Sequence, residues 1–136
     1  MAKYADVLRD VEELFAASTW TATGIQAYPS NYQGGSFTDE FVRVEVLPAQ
    51  PRTSYGSLRV GGQIIVQIYT RAGEGTRRSM EIADLLDTVL QAKTLQRGTQ
   101  TGTSSLSFLG IDNDDNSLFR ADYAISFRNY LRTRGN

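Results

Sequence analysis

The feature that most constrains the fold is a change of hydrophobic period in the middle of the chain. Residues Arg59 to Thr70 contain a run of β-branched residues, which is typical of a central strand covered at least partly on both faces. After Gly75 the apolar residues recur every three or four positions, as in an amphipathic helix. The stripe consists mainly of apolar residues and contains Ser79, Ile82, Ala83, Leu86, Val89, Leu90 and Lys93. The interpretation is a strand, a corner and a helix that covers the sheet.

Two details belong to this segment. Gly61 and Gly62 predict a bulge or a bend in the strand, because glycine often marks such irregularities. The polar residues of the helix occupy the side opposite the apolar stripe, and they are expected to face away from the sheet. These polar residues are Glu81, Asp84, Asp87 and Gln91.

Further segments show helical or strand patterns. Tyr4 to Ala17 predicts an amphipathic helix with a polar side made of Asp6, Arg9, Asp10, Glu12 and Glu13. Strands are predicted for Ile25 to Tyr28, Phe41 to Leu47, Leu106 to Ile111 and Leu118 to Leu131, the last showing the clearest alternation. Residues 94 to 105 are rich in Gln, Thr, Ser and Gly and predict a linker, with room for a short strand around Leu95.

The order of these elements predicts the fold class. Helix, strands, helix and hairpin indicate an α+β domain in which two helices pack on one face of a mainly antiparallel or mixed β-sheet. A purely parallel sheet needs more helical crossovers than this pattern provides. With 136 residues the chain fits one domain, which we predict to span residues 1–136.

Composition narrows the possible functions. The chain has no cysteine and no histidine, which removes the thiol nucleophile, the commonest general base and the commonest ligands of transition metals. Fourteen basic and fifteen acidic residues give a net charge of -1, so no overall attraction to nucleic acid or to an acidic membrane is expected. No transmembrane run or secretory signal is visible, and the expected site of synthesis and use is the cytoplasm. We therefore predict a protein that is not an enzyme, with no catalytic residue.

A loop between the central strand and its helix invites comparison with phosphate-binding loops. A P-loop requires a lysine and a hydroxyl residue after its second glycine, whereas Gly73 and Gly75 are followed by Thr76, Arg77 and Arg78. A dinucleotide loop requires a third glycine where Arg78 stands. Both motifs fail, so the glycines are interpreted as a turn, and no cofactor is predicted.

The arginines at the start of the second helix are unusual, because a helix N-terminus favours acidic residues. One explanation is an i,i+4 ion pair between Arg77 and Glu81. The other is that Arg77 and Arg78 meet acidic groups on another subunit.

A second charged region lies near the end of the chain. The acidic run Asp112, Asp114 and Asp115 lacks the glycine and glutamate of a calcium loop, so no metal is predicted, and a hairpin turn is favoured. This run could also contact the basic terminus of another copy, which contains Arg128, Arg132 and Arg134, and so close a head-to-tail ring. The favoured explanation is that these arginines solubilise a frayed end. The candidate interface residues are Arg52, Tyr55, Arg71, Glu74, Arg77, Arg78, Asp112, Asp114, Asp115, Arg132 and Arg134. Arg52 and Tyr55 belong to a projecting loop between Leu47 and Leu58.

Three short motifs resemble the phage tail terminator family. They are Gly62-Gln63-Ile64-Ile65-Val66-Gln67-Ile68, Ala72-Gly73-Glu74-Gly75 and Glu81-Ile82-Ala83-Asp84-Leu85-Leu86. The resemblance implies a virion tail protein, assembled in the host cytoplasm, that forms a ring, commonly hexameric. Such a ring caps the tail tube, stops polymerisation of the tube protein and offers a surface to the neck or head-completion protein. DNA would pass through its lumen as cargo, and no membrane is involved.

Two other functions remain open from the sequence. One is a different component of the neck or head-tail joint. The other is a small hydrolase or nucleotide-binding domain that uses Glu74, Arg77, Arg78 and a carboxylate such as Asp84.

Overall fold

A computed structural model of the chain describes residues 3–29, 40–49, 58–73, 76–111 and 118–130. These residues form three helices and five strands. The helices are α1 (Lys3–Ala16), α2 (Ser18–Thr21) and α3 (Arg77–Leu90), and the strands are β1 (Gln26–Pro29), β2 (Phe41–Ala49), β3 (Leu58–Arg71), β4 (Thr99–Ile111) and β5 (Leu118–Tyr130). The predicted helix and strand patterns therefore correspond to real elements, with one additional short helix.

The five strands make one mixed sheet in the order β1-β2-β3-β5-β4. β1 runs parallel to β2, and the other three neighbouring pairs are antiparallel. β3 is the central strand, and its β-branched residues are paired on both sides. Val66, for example, lies opposite Val44 of β2 and opposite Tyr123 of β5. The edges of the sheet are β1 and β4.

One face of the sheet carries the main core, and the long helices pack on this face. α1 contacts β2, β3 and β4, and α3 contacts β3, β4 and β5. The core contains inward-facing residues of the strands together with apolar residues of both long helices, represented by Val11, Ile64, Leu86 and Ile125. Helices on one face of a mainly antiparallel sheet confirm the predicted α+β class.

The predicted linker was wrong in its second half. Residues 99–105 belong to β4, which begins at Thr99 and not at Leu106. The segment reads as linker because small polar residues fill it, yet Thr99 and Thr101 are buried against β5 and α3. The short strand expected around Leu95 reduces to a single bridge between Thr94 and Gln100. A polar edge strand lacks the apolar alternation by which strands are recognised.

The predicted faces of the two long helices also need correction. Asp10 was placed on the polar side of α1, but it is only 2% exposed, whereas the apolar residue Leu8 of the same helix is 46% exposed. Asp87 was placed on the solvent side of α3, but its carboxylate contacts the sheet. α3 ends at Leu90, so Lys93 lies beyond the helix and is exposed. Specific polar partners override the periodic pattern at Asp10 and Asp87.

The short helix α2 was not predicted. It positions Trp20, which is 1% exposed and whose Nε1 donates a hydrogen bond of 3.0 Å to the carbonyl of Ile25. The ring of Trp20 packs edge-on against Phe15 at a centroid distance of 5.2 Å. α2 therefore connects the end of α1 to the start of β1.

Candidate assembly surfaces

Three of the predicted interface residues flank the corner between β3 and α3. Arg71 ends β3, and Arg77 and Arg78 begin α3. The guanidinium of Arg78 faces Glu40, just before β2: its Nε donates to the two carboxylate oxygens at 2.9 and 2.8 Å, and its Nη2 donates to the same carboxylate. Its Nη1 also lies 3.4 Å from Glu81 Oε1. Glu40, a partner 38 positions away along the chain, was not predicted.

The electrostatics of this corner follow from those contacts. The hydrogen bond to Glu40 raises the pKa of Arg78 above its usual range, with a further contribution from Glu81. The charge of Arg78 is thus balanced within the chain, and the pair links the start of β2 to the start of α3. The expected contact of Arg78 with another subunit stays a prediction.

Arg77 lies in a different environment. Its side chain is 90% exposed, and its Nε is 3.9 Å from Glu81 Oε2, which is the predicted i,i+4 pair. An exposed pair at this distance contributes little to stability, because water screens it. Arg77 therefore keeps its guanidinium accessible to an acidic group of another molecule.

The other eight predicted interface residues all lie outside the described part of the chain. They are Arg52, Tyr55, Glu74, Asp112, Asp114, Asp115, Arg132 and Arg134. The proposed contact between the acidic run and the basic terminus stays a prediction for the same reason.

An aromatic cluster that sequence reasoning missed lies on the sheet face opposite the long helices. The rings of Phe41 and Tyr69 stack at a centroid distance of 4.7 Å, with 10° between their planes. Tyr28 packs edge-on against Phe41 at 5.7 Å, and the Arg43 guanidinium lies 5.8 and 5.5 Å from the Phe41 and Tyr69 ring centres. The cluster could have been predicted only from the strand register, which pairs Phe41 with Tyr69. Together with buried Leu118 it forms a second small core.

A groove, here called the α1–β1 groove, opens at the β1 edge of the sheet. It has a volume of about 380 Å³ and lies between α1, α2 and the first two strands. Its walls are mostly apolar and include Leu8, Phe15, Trp20, Ala27 and Val44. The groove was not predicted, because it depends on how β1 packs beneath α1. A surface of this composition suits an apolar partner rather than a charged substrate.

The opposite edge of the sheet is formed by β4. Thr99–Ile111 contains no charged residue and no proline. At its end the side chains of Phe108, Leu109 and Ile111, here called the β4 end, are 40%, 55% and 52% exposed. Gly110 has a φ of 94°, and the pairing with β5 shifts between Phe108 and Gly110, which is typical of a β-bulge. Natural edge strands usually carry charges or proline that prevent pairing with other chains.

An ionic cluster around the buried carboxylate of Asp10 joins α1 to the connection before β4. Asp10 Oδ1 accepts hydrogen bonds from the backbone N–H of Arg97 at 3.1 Å and from its Nη1 at 3.3 Å. The same Nη1 lies 2.9 Å from Glu13, and this contact lowers the pKa of Glu13. Arg97 therefore links α1 to the segment before β4, because the carboxylates of Asp10 and Glu13 both contact it.

Metal-binding clusters and membrane-spanning helices are both absent from the described residues. Across residues 3–29, 40–49, 58–73, 76–111 and 118–130, acidic side chains do not gather in threes where they could hold a metal ion. In those same ranges the helices are too short or too polar to cross a membrane.

Known proteins resemble the chain in fold. No protein-family model matches it, and a search of curated proteins finds no match. A solved structure described only by a protein sequence identifier is 14% identical, covers 96% of this chain and 98% of its own, and has a TM-score of 0.67. Another, described as the virion of a native gene transfer agent particle, is 16% identical, with coverages of 95% and 98% and a TM-score of 0.62. The fold is shared along nearly the whole chain.

Proposed function

We propose that this protein is a structural subunit of a phage-like virion, and that it forms a ring that caps the tail tube. The observation that carries the proposal is the fold shared with a chain of a gene transfer agent virion, over 95% of this chain and 98% of that one. Because the match extends over both chains almost completely, it concerns the whole domain and not a common substructure.

The finer part of the proposal, the tail terminator, rests on the motif resemblance. The first motif lies in β3 and the third lies in α3. Within the third motif Ile82, Ala83 and Leu86 are buried, whereas Asp84 is exposed. These motifs therefore describe how α3 packs on the sheet, and they support the family through its fold rather than through a reactive site.

The surfaces of the domain favour binding over chemistry. The Arg78 guanidinium is held by Glu40 and Glu81, so a phosphate approaching it would be repelled by both carboxylates. The groove is apolar, and the exposed end of β4 is apolar as well. A capping ring needs such surfaces, because it acts by covering the growing end of the tube and thereby blocks the addition of further tube subunits.

The proposal assigns three partners. The ring consists of copies of this chain, one ring face contacts the tail tube protein, and the other contacts the neck or head-completion protein. DNA passes through the lumen. The protein then resides in the virion tail after assembly in the host cytoplasm.

Tube assembly in vitro tests this function. Tail-tube subunits from the same phage polymerise with increasing amounts of this protein, and electron microscopy measures tube length. We expect rings at tube ends and a mean length that decreases as the protein is added. Tubes of unchanged length with bare ends would contradict capping. Binding to filled heads before any binding to tubes would instead identify a neck component.

A ligand screen serves as the control for the enzymatic alternative. A ligand that binds the folded state raises the melting temperature by mass action. Nucleotides with Mg²⁺ are therefore added in a thermal shift assay, and we expect an unchanged melting temperature. A reproducible increase would favour a nucleotide-binding domain.

A further inference from the structure

We infer that the ring closes head to tail, with the β4 end of one copy inserted into the α1–β1 groove of the next copy. The inference rests on the proposed ring, and it assigns the contact between subunits to surfaces outside the charged corner. It is carried by the position, direction, chemistry and size of the two surfaces.

The two surfaces lie at opposite edges of one sheet. The groove borders β1, the first strand of the sheet order, and the β4 end belongs to the last. Two different patches that fit each other make a heterologous contact, which produces either a ring or an open filament. A contact of this kind uses one groove and one β4 end per subunit. In a closed ring, both surfaces of every copy are therefore occupied by a neighbour.

The strand register places the two surfaces at the same level of the sheet. Ala27, which lines the groove, pairs with Val42, and Val42 pairs with Ile68. Ile68 pairs with Ala121, and Ala121 pairs with Phe108 of the β4 end. One row across all five strands therefore begins at the groove and ends at Phe108. Neighbouring copies can meet at these edges without sliding along the strands.

Both surfaces also share one face. Ala121 belongs to the core beneath the helices, and Phe108, its register partner, lies on the same face of the sheet. The groove opens on this face because α1 forms one of its walls. A neighbour that continues the sheet therefore brings Phe108 toward the groove and not toward the opposite face.

Strand direction agrees with this arrangement. β1 is parallel to β2, and three successive antiparallel pairs lead from β2 to β4, so β4 runs opposite to β1. A neighbour in the same orientation then presents β4 antiparallel to β1. Edge strands offer rows of backbone donors and acceptors, and addition of a strand at such an edge is a common mode of recognition. Antiparallel pairing is also the slightly more stable of the two directions.

Composition and size fit the same contact. β4 lacks the charges and proline that would prevent strand addition, and the three large exposed side chains at its end are apolar like most of the groove walls. Fourteen residues line the groove, roughly half to two-thirds of the about 20–30 residues found on one side of a stable interface. Strand pairing between β1 and the neighbour's β4, beside the groove, would supply the remaining interface residues.

Complementation between two variants tests the inference. Phe108→Asp damages the β4 end, and Leu8→Asp damages the groove, because a charge buried in an apolar contact without a partner is costly. Light scattering after gel filtration measures mass. We expect each variant alone to lose self-association, and an equal mixture to form dimers only, since one intact β4 end then meets one intact groove. Leu47→Asp is the matched control, being 44% exposed but on the opposite face, and should assemble like the wild type.

The outcomes separate this inference from the proposed function. A wild-type chain that does not self-associate, or variants that assemble normally, would overturn the contact, while tube capping could still be observed. Loss of self-association in both variants without capping by the wild type would support the contact and remove the proposed function. Circular dichroism checks that each variant is folded.

Cysteine cross-linking provides a second measurement that does not depend on a damaging substitution. The chain has no cysteine, so introduced thiols react without background. Gln26→Cys lies at the groove and Leu109→Cys at the β4 end. With a short bis-maleimide, the double variant should give a ladder of oligomers and each single variant should not. Absence of the ladder in assembled protein would overturn the inference.

Discussion

Among the glycines of the described residues, Gly62 is the one at which an added Cβ atom would overlap backbone atoms of another strand. A Cβ atom at this position would lie 2.9 Å from the Cα of Pro48 and 3.0 Å from the backbone nitrogen of Ala49. These are backbone atoms of the neighbouring strand β2, so no side-chain rotation can relieve the overlap. At the adjacent Gly61 the nearest atom is the Phe127 carbonyl oxygen at 3.5 Å, an ordinary contact.

This difference predicts effects of different size on stability for two adjacent substitutions. Gly62→Ala should lower the free energy of unfolding by about 1–3 kcal/mol, the usual cost of overpacking. Gly61→Ala should change it by less than about 1 kcal/mol, because alanine also restricts the unfolded chain. Urea denaturation measures both. Equal effects of the two substitutions would contradict the close approach of β2.

Sequence reasoning recognised that both glycines are special but assigned the wrong cause. They were expected to mark a bulge or bend, whereas the register shift lies between Leu58 and Val60. The need for glycine at position 62 comes from the partner strand, and partner contacts cannot be obtained from local sequence. Buried Asp10 is a similar case, because its partner Arg97 is 87 positions away.

Among the elements, α3 is joined to the sheet by apolar packing and by several polar contacts, two of which are made by the carboxylate of Asp87. Asp87 Oδ1 accepts hydrogen bonds of 2.6 Å from the Tyr123 hydroxyl of β5 and from the Ser104 hydroxyl of β4. Burial of the Tyr123 side chain raises its pKa above the usual 10.0, and the hydrogen bond to Asp87 adds to this effect. The neutral phenol is therefore favoured in the folded state.

Tyr123→Phe tests this contact and its pH dependence. At pH 7 the substitution should lower the free energy of unfolding by about 1.5–3 kcal/mol, as expected for a hydrogen bond to a charged group. The pKa of Tyr123 is higher in the folded than in the unfolded chain. The stabilisation by its neutral hydroxyl is therefore complete below pH 10.0 and is lost as the pH rises above that value. The difference between wild type and variant should therefore narrow in alkaline solution. Chemical denaturation from pH 7 to 11 measures it, and a constant difference would contradict the assignment.

Most elements could be predicted from the sequence because their faces are chemically distinct. The strands β2, β3 and β5 alternate or contain β-branched runs, and α1 and α3 carry apolar stripes. The first half of β4 could not be recognised, since its threonines and serines have no apolar face to show a period. α2 was missed because four residues are too few to display a helical pattern.

For the whole molecule, the surfaces proposed for assembly were harder to predict than the fold. Arg77 and Arg78 were predicted as interface residues because arginines are unusual at a helix N-terminus, whereas the structure shows that Arg78 is paired within the chain. The α1–β1 groove and the β4 end arise only when the sheet order is known, because that order decides which strands are edges. Tertiary arrangement therefore carries the information that local patterns lack.

A head-to-tail assembly predicts that stability depends on protein concentration. Association shifts the folding equilibrium by mass action, so the melting temperature of the wild type should rise with concentration. Phe108→Asp should abolish the rise, and Leu47→Asp should keep it. Calorimetry over a wide range of concentrations measures the trend. A wild-type melting temperature that stays constant would contradict the assembly.

The order of the strands also has a consequence for the kinetics of folding. The central strand β3 has β2 as one neighbour, close in sequence, but its other neighbour β5 is the last strand of the described chain. Contacts between distant segments form slowly, because the loop between them must close first. On the ribosome, one side of β3 must therefore wait until β5 has been synthesised. Cells that produce this protein have to protect that unfinished sheet from aggregation until its last strand arrives.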